Sequence, residues 1–160
     1  METNNQRKTP TVLVPYDFGP KAKTALQEAI KVADFIKGQI YLLSVLQASN
    51  FFTELFKSEK QQREERRHVE NKLKEVILDT RKTYHGNIRY IVEHGSPAEV
   101  ILEQAQIRNA QYIIMGKMSS TVSAFHFIGP LTMHIIASAP CPVITVSENS
   151  IENRRFDNIL

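Results

Sequence analysis

The sequence predicts an α/β sandwich built on five parallel strands, and three observations carry that reading. Short β-rich apolar runs alternate with amphipathic stripes along the chain, the order that parallel strands joined by right-handed helical crossovers require. One run, YIIMG (Tyr112 to Gly116), is apolar almost throughout, as a strand covered on both faces is. The 160 residues suit one domain with a single core.

TVLVPYD (Thr11 to Asp17) is the first strand, a β-rich run that stops at a proline and a polar end. From Lys21, apolar residues at Ala22, Ala25, Leu26, Ala29, Ile30 and Ala33 form a helical stripe that Gly38 closes. QIYLLSV (Gln39 to Val45) is the second strand. FFTELF (Phe51 to Phe56) follows, and the chain then turns highly charged to Arg67. Val69, Leu73, Val76, Ile77 and Tyr84 place a second helix that ends near Gly86. IRYIVEHG is the third strand. SPAE (Ser96 to Glu99) predicts a helix start, with Ser96 as cap, Pro97 in the first turn and Glu99 closing a capping box. Ala98, Ile101, Leu102 and Ala105 are its stripe. YIIMG is the fourth strand. After the loop that follows it, Leu131, Ile135 and Ile136 place a short fourth helix, which APCP stops before the fifth strand, VITVS. Residues 9–148 make the domain, flanked by a polar N-terminus (1–8) expected to be flexible and a loosely held polar tail (149–160).

Composition narrows the function classes. No apolar run approaches the roughly 20 residues that span a bilayer, and METNNQRKTP lacks a signal peptide's apolar centre; no membrane role is expected. One cysteine excludes an internal disulfide framework and suits a reducing cytoplasm. The net charge is only +3, and KSEKQQREERRHVENKLKE sets seven Lys/Arg against five Asp/Glu. Interleaved charge of that kind reads as a solvated helix face, so no nucleic-acid partner is expected. The histidines at 68, 85, 94, 126 and 134 show no metal-ligand spacing. No G-x-S-x-G, Walker A or G-x-G-x-x-G follows a strand, which removes the commonest hydrolase, NTPase and dinucleotide readings. No catalytic residue or metal site stands out.

In a parallel sheet, ligands sit beyond the carboxyl ends of the strands, where strand order reverses. Two such ends carry suggestive chemistry: Asp17 after the first strand, and GKMSSTVSAFHFIGPLTMHI (Gly116 to Ile135) after the fourth. Asp17 reads equally as a cap for the first helix and as a ligand contact. Pro15 can simply shape the strand end, Met115 and Met118 can be packing, and Cys141, between two prolines, reads as a small structural residue. His126 lies on the loop, where exposure is its simplest explanation.

VLVPYDF, HGSPAEVILEQA and MGKMSS…IGPLTMHIIASAPCPVITV together resemble the universal stress protein family, over about Lys8 to Ser147. The resemblance implies a Rossmann-like, adenine nucleotide alpha hydrolase-like sheet of order 3-2-1-4-5, a cytoplasmic homodimer, and in one branch ATP held by G-x-x-G, nine residues, then G-[ST]. It implies an adenine and ribose side at Pro15, Asp17 and Val45, a middle at Met115, Gly116 and Met118, and a phosphate end at Gly129 and Thr132. The fifth strand, Val143–Ser147, is implied as the dimer seam, a means of covering an edge strand.

Two positions depart from that pattern: Ser119 stands at the second glycine and Pro130 at the final Ser/Thr. If Gly129 caps the helix, Pro130 is its first residue, a favoured place for proline. It nevertheless deletes one N–H that would face an anion, and the hydroxyl too. Serine at 119 adds bulk where glycine permits close backbone approach, although its hydroxyl, with Lys117, Ser120, Thr121 and Thr132, offers partial compensation. The expected function is therefore a non-catalytic, homodimeric regulatory stress-response module with a degenerate site: weak, AMP-like or no adenine-nucleotide binding, with no cofactor required. The alternatives are an ATP-binding or slowly ATP-hydrolysing switch, and an interaction module acting through Phe51–Phe56.

Overall fold

Thr11 to Val14 are all buried, which is possible only for a strand with a layer on each side. The computed structural model describes residues 8–47, 58–116 and 128–147; Phe51–Phe56 and both terminal segments lie outside them. Its elements are β1 (Thr11–Pro15), α1 (Pro20–Ile36), β2 (Gln39–Leu46), α2 (Glu59–Thr80), β3 (Asn87–His94), α3 (Pro97–Ile107), β4 (Ala110–Gly116), α4 (Pro130–Ser138) and β5 (Val143–Val146). The strands form one sheet of order β3-β2-β1-β4-β5, parallel at every pairing. The 3-2-1-4-5 expectation holds.

Alternation along the strands divides the core into two faces. Val12, Val14, Ile40, Leu42 and Ile114 pack with Ala22, Ala25, Ala29 and Ala33 of α1 and with Leu73 and Ile77 of α2. Leu13, Leu43, Ile91, Ile113 and Met115 pack with Val100, Ile101 and Ala105 of α3 and with Ile135 of α4. The alanine stripe of α1 lets that helix lie close to the sheet. α2 buries only Leu73 and Ile77, and the charged remainder is a solvated face, with ion pairs one turn apart at Arg63–Glu59 and Arg66–Glu70.

Several local expectations are corrected. Ser96 caps α3 and Pro97 opens it, but no side-chain cap bond forms; Ser96 is exposed, so its hydroxyl keeps its hydration at no cost. The complete capping box sits instead at α2, where Gln61 N–H donates to Ser58 Oγ at 3.3 Å and Ser58 N–H donates to Gln61 Oε1 at 2.9 Å. The S-x-x-Q spacing of SEKQ was the signal for it. Tyr84 is not on α2, which ends at Thr80; it is buried beyond the helix, over Gly86, whose position leaves no room for a Cβ. At the end of α1 the left-handed residue is Lys37 rather than Gly38. Gly38 is needed for space, because a Cβ there would lie 2.7 Å from the Pro10 carbonyl oxygen. In α3 the buried stripe is Val100, Ile101, Gln104 and Ala105, with Ala98 and Leu102 half-buried. In α4 it is Thr132 and Ile135, and Ile136 is exposed.

The two caps give a test on stability. Ser58→Ala should cost about 1 kcal/mol, and Ser96→Ala almost nothing. Urea unfolding midpoints separate them, and an equal or larger loss for Ser96→Ala would contradict the cap geometry.

Candidate functional site

β1 lies between β2 and β4, so the chain leaves β1 toward β2 and later returns past it to β4. The carboxyl ends of β1 and β4 therefore diverge into a crevice. A cavity of about 230 Å³ occupies it. Pro15, Tyr16 and Asp17 line it from the end of β1, and Leu43, Ser44 and Val45 from β2. Met115 and Gly116 close it at the end of β4, Lys21 and Ala22 at the start of α1, with Pro97, Ile101, Leu131 and Gln47 around the rim. A larger hollow, about 540 Å³ between α1 and α2, is lined by mixed charges such as Lys23, Glu75, Asp79 and Lys82 and touches the strand ends only at Tyr16.

The turn after β1 is held in an uncommon conformation. Phe18 has φ 66°, costly for a bulky residue without glycine's freedom. Its ring meets Tyr16 edge-on, with centroids 5.4 Å apart, and the Lys72 ammonium lies 5.3 Å from its centre. Within that turn Asp17 Oδ1 accepts the Gly19 N–H at 2.9 Å. Asp17 is thus a turn-former rather than the helix cap: Gly19 holds the cap position, with no side-chain bond. Tyr16 N–H donates to the Leu43 carbonyl at 2.8 Å, carrying the β1–β2 pairing past Pro15. Burial, and after it the Asp17 charge, push the Tyr16 phenol above its usual range, so it stays protonated near neutral pH and is no general base.

Gly116 is where β4 meets α1. A Cβ there would stand 2.6 Å from Lys21 Cβ and 2.7 Å from the Lys21 carbonyl oxygen. Only glycine permits that approach, and the approach brings Lys21 to the cavity.

α4 begins as expected, with Gly129 as cap and Pro130 in the first turn. Leu131 reaches the cavity wall. Thr132 is fully buried, and its hydroxyl has no hydrogen-bond partner among the described residues. Of the sequence-predicted site residues, the fold brings Pro15, Asp17, Val45, Met115 and Gly116 to one cavity. Gly129 and Thr132 flank it at the α4 entrance without forming its wall. Met118 and Ser119, like Lys117, Ser120, Thr121 and His126, lie outside the described residues.

Sequence reasoning missed nine of the described lining residues: Tyr16, Lys21, Ala22, Leu43, Ser44, Gln47, Pro97, Ile101 and Leu131. For Lys21 a signal was present: a lysine in a helix's first turn, where an acid is favoured. Among the described residues no group of three or more His, Cys, Asp or Glu could hold a metal. Burial raises the Cys141 thiol, with a backbone hydrogen bond from Ile113 opposing it; a neutral thiol is a poor nucleophile. No described helix is long and apolar enough to cross a membrane.

A model of the universal stress protein family matches residues 8–147. A universal stress protein of Methanocaldococcus jannaschii is 24% identical over an alignment of 156 residues that covers 91% of this chain and 86% of that protein. Among solved structures, the universal stress protein UspA from Lactobacillus plantarum superposes with a TM-score of 0.71 at 22% identity, covering 87% of this chain and 98% of its own. A universal stress protein family member from Arabidopsis thaliana, with AMP bound, superposes at 0.58 with 16% identity, covering 92% of this chain and 97% of its own.

Proposed function

The chain belongs to the universal stress protein family, and from that premise we propose that it is a non-catalytic, homodimeric regulatory module that holds an adenine nucleotide weakly, in an AMP-like manner, in the crevice beyond β1 and β4. The observation that carries this reading is the pairing of a largely apolar cavity at the strand ends with a helix entrance whose first residue is Pro130. Apolar walls at Pro15, Val45, Met115 and Ile101 suit a flat base with a few polar contacts. The entrance of α4 is the element such a sheet would turn toward phosphates, and here it lacks one N–H. That an Arabidopsis relative of the same fold carries AMP supports a ligand with few phosphates.

Catalysis has little support. Hydrolysis of a nucleotide needs a group to orient or activate water, and Asp17, the one carboxylate among the described residues of the cavity wall, accepts the Gly19 N–H through its Oδ1. Dimerisation has support from β5. It pairs only with β4 among the described residues, and Val143 and Ile144 are half-buried. A short apolar edge is a surface that a second copy can cover.

The test is calorimetry on the purified protein with AMP, ATP and cyclic dinucleotides, after chromatography of heat-denatured protein for released nucleotide. AMP is expected to bind at least as well as ATP, both weaker than micromolar, with a dimer in sedimentation. A sub-micromolar ATP constant would overturn the degenerate site, reproducible ATP turnover the non-catalytic reading, and a monomer at micromolar protein the dimer.

A further inference from the structure

α1 carries a cation where helices disfavour one. Its first turn holds no acidic residue but does hold Lys21, next to the free N–H groups and the positive end of the dipole. Elsewhere, Lys31, Arg63, Arg66 and Lys82 each reach a carboxylate. The Lys21 ammonium has no ion pair or hydrogen bond among the described residues. Lys23, also in that turn, is exposed to screening solvent, whereas Lys21 is half-buried. Lys21 lines the cavity, and its Cβ and carbonyl are packed against Gly116, so the start of its stem cannot drift away. A local rule broken at a cavity wall, with no partner among the described residues to offset it, points to a partner from outside.

We propose that Lys21 is the residue that selects the ligand's charge, contacting a single phosphoryl group next to the nucleoside, so that the site takes a nucleoside monophosphate. The proposal rests on the nucleotide reading above and narrows it. Among the described residues that line the cavity, Lys21 is the only cation and Asp17 the only anion. One ammonium pairs with one phosphoryl group, and the positive end of the α1 dipole beside it takes up part of the remaining negative charge. A chain of three would run on past it toward Pro130, where an N–H is missing, with the Asp17 charge in the same small cavity opposing it. The bound phosphoryl would also offset the repulsion between Lys21 and the helix, so the anion gains more here than from an exposed lysine.

Calorimetry with AMP and adenosine, on the native protein and on Lys21→Gln and Lys21→Arg, decides it. In the native protein AMP should bind roughly tenfold or more tighter than adenosine, the worth of one charge-assisted hydrogen bond. Lys21→Gln should remove that preference while adenosine binds as before, which also certifies its fold. Lys21→Arg should keep the preference. A native protein that binds adenosine and AMP equally, or a Gln variant that still prefers AMP, overturns the role of Lys21 and leaves the nucleoside site standing. ATP binding tenfold tighter than AMP overturns the monophosphate assignment. If neither AMP nor adenosine binds the native protein, both the assignment and the nucleotide reading fall. Should the Gln variant lose adenosine as well, the Arg variant decides, since a folded Arg variant without the AMP preference refutes the charge role.

Discussion

Pro130→Ser is expected to tighten ATP binding by roughly tenfold to a few hundredfold while adenosine binding stays unchanged. Proline is comfortable as the first residue of α4 because that N–H has no intrahelical partner. An anion at the helix entrance would use it, and it is absent. Serine returns the N–H and adds a hydroxyl, and each charge-assisted bond is worth about 1.5–3 kcal/mol. Pro130→Ala returns the N–H alone and should recover about half of the gain in free energy. Calorimetry with ATP on the two variants reads both steps. An ATP constant that stays put in Pro130→Ser would place the weakness of the site elsewhere than at this entrance.

The second large effect is expected at Gly116. Gly116→Ala should destabilise the protein by about 1–3 kcal/mol, the usual cost of overpacking, and should abolish nucleotide binding. The new methyl would meet Lys21 Cβ at 2.6 Å, the Lys21 carbonyl oxygen at 2.7 Å and its carbonyl carbon at 2.8 Å. Two of these three are backbone atoms, so relief requires moving the first turn of α1 rather than swinging a side chain. That turn bears Lys21 and Ala22 on the cavity wall, and the end of β4 bears Met115. Urea unfolding should show a lower midpoint with an unchanged slope. A variant with the native midpoint and native AMP affinity would mean that β4 and α1 yield at this junction, and that the close approach is not what shapes the cavity.

The elements were legible wherever a short window contained their cause. The β4 run YIIMG was apolar enough to demand cover on both faces, and Ile113 and Ile114 are fully buried. The Gly129-Pro130 pair announced the start of α4, since both residues act on their own backbone. Of two local motifs with the same spacing, the sequence reading named only one, SPAE. SPAE and SEKQ are both capping patterns, yet only the second closes. Tyr84 kept the helical spacing of α2 after the helix had ended, because a ring that packs over Gly86 satisfies burial as well as a helical position does. Five of the fourteen described lining residues were legible in the sequence. Pro15, Asp17, Val45, Met115 and Gly116 were placed together and do meet at one cavity, while Lys21 passed as an ordinary helix-face lysine.

The sequence by itself determined the alternation of strands and helices, the two-sided cover of β4 and the proline that opens α4. Each of these follows from periodicity or from the chemistry of a single residue's backbone, and neither needs a distant partner. Only the tertiary structure decided that Lys21 lies against Gly116, and that Thr132 is buried without a partner for its hydroxyl among the described residues. Those facts depend on contacts between segments far apart in the chain, made when a parallel sheet brings the ends of non-consecutive strands side by side, and no local pattern encodes the distance between them.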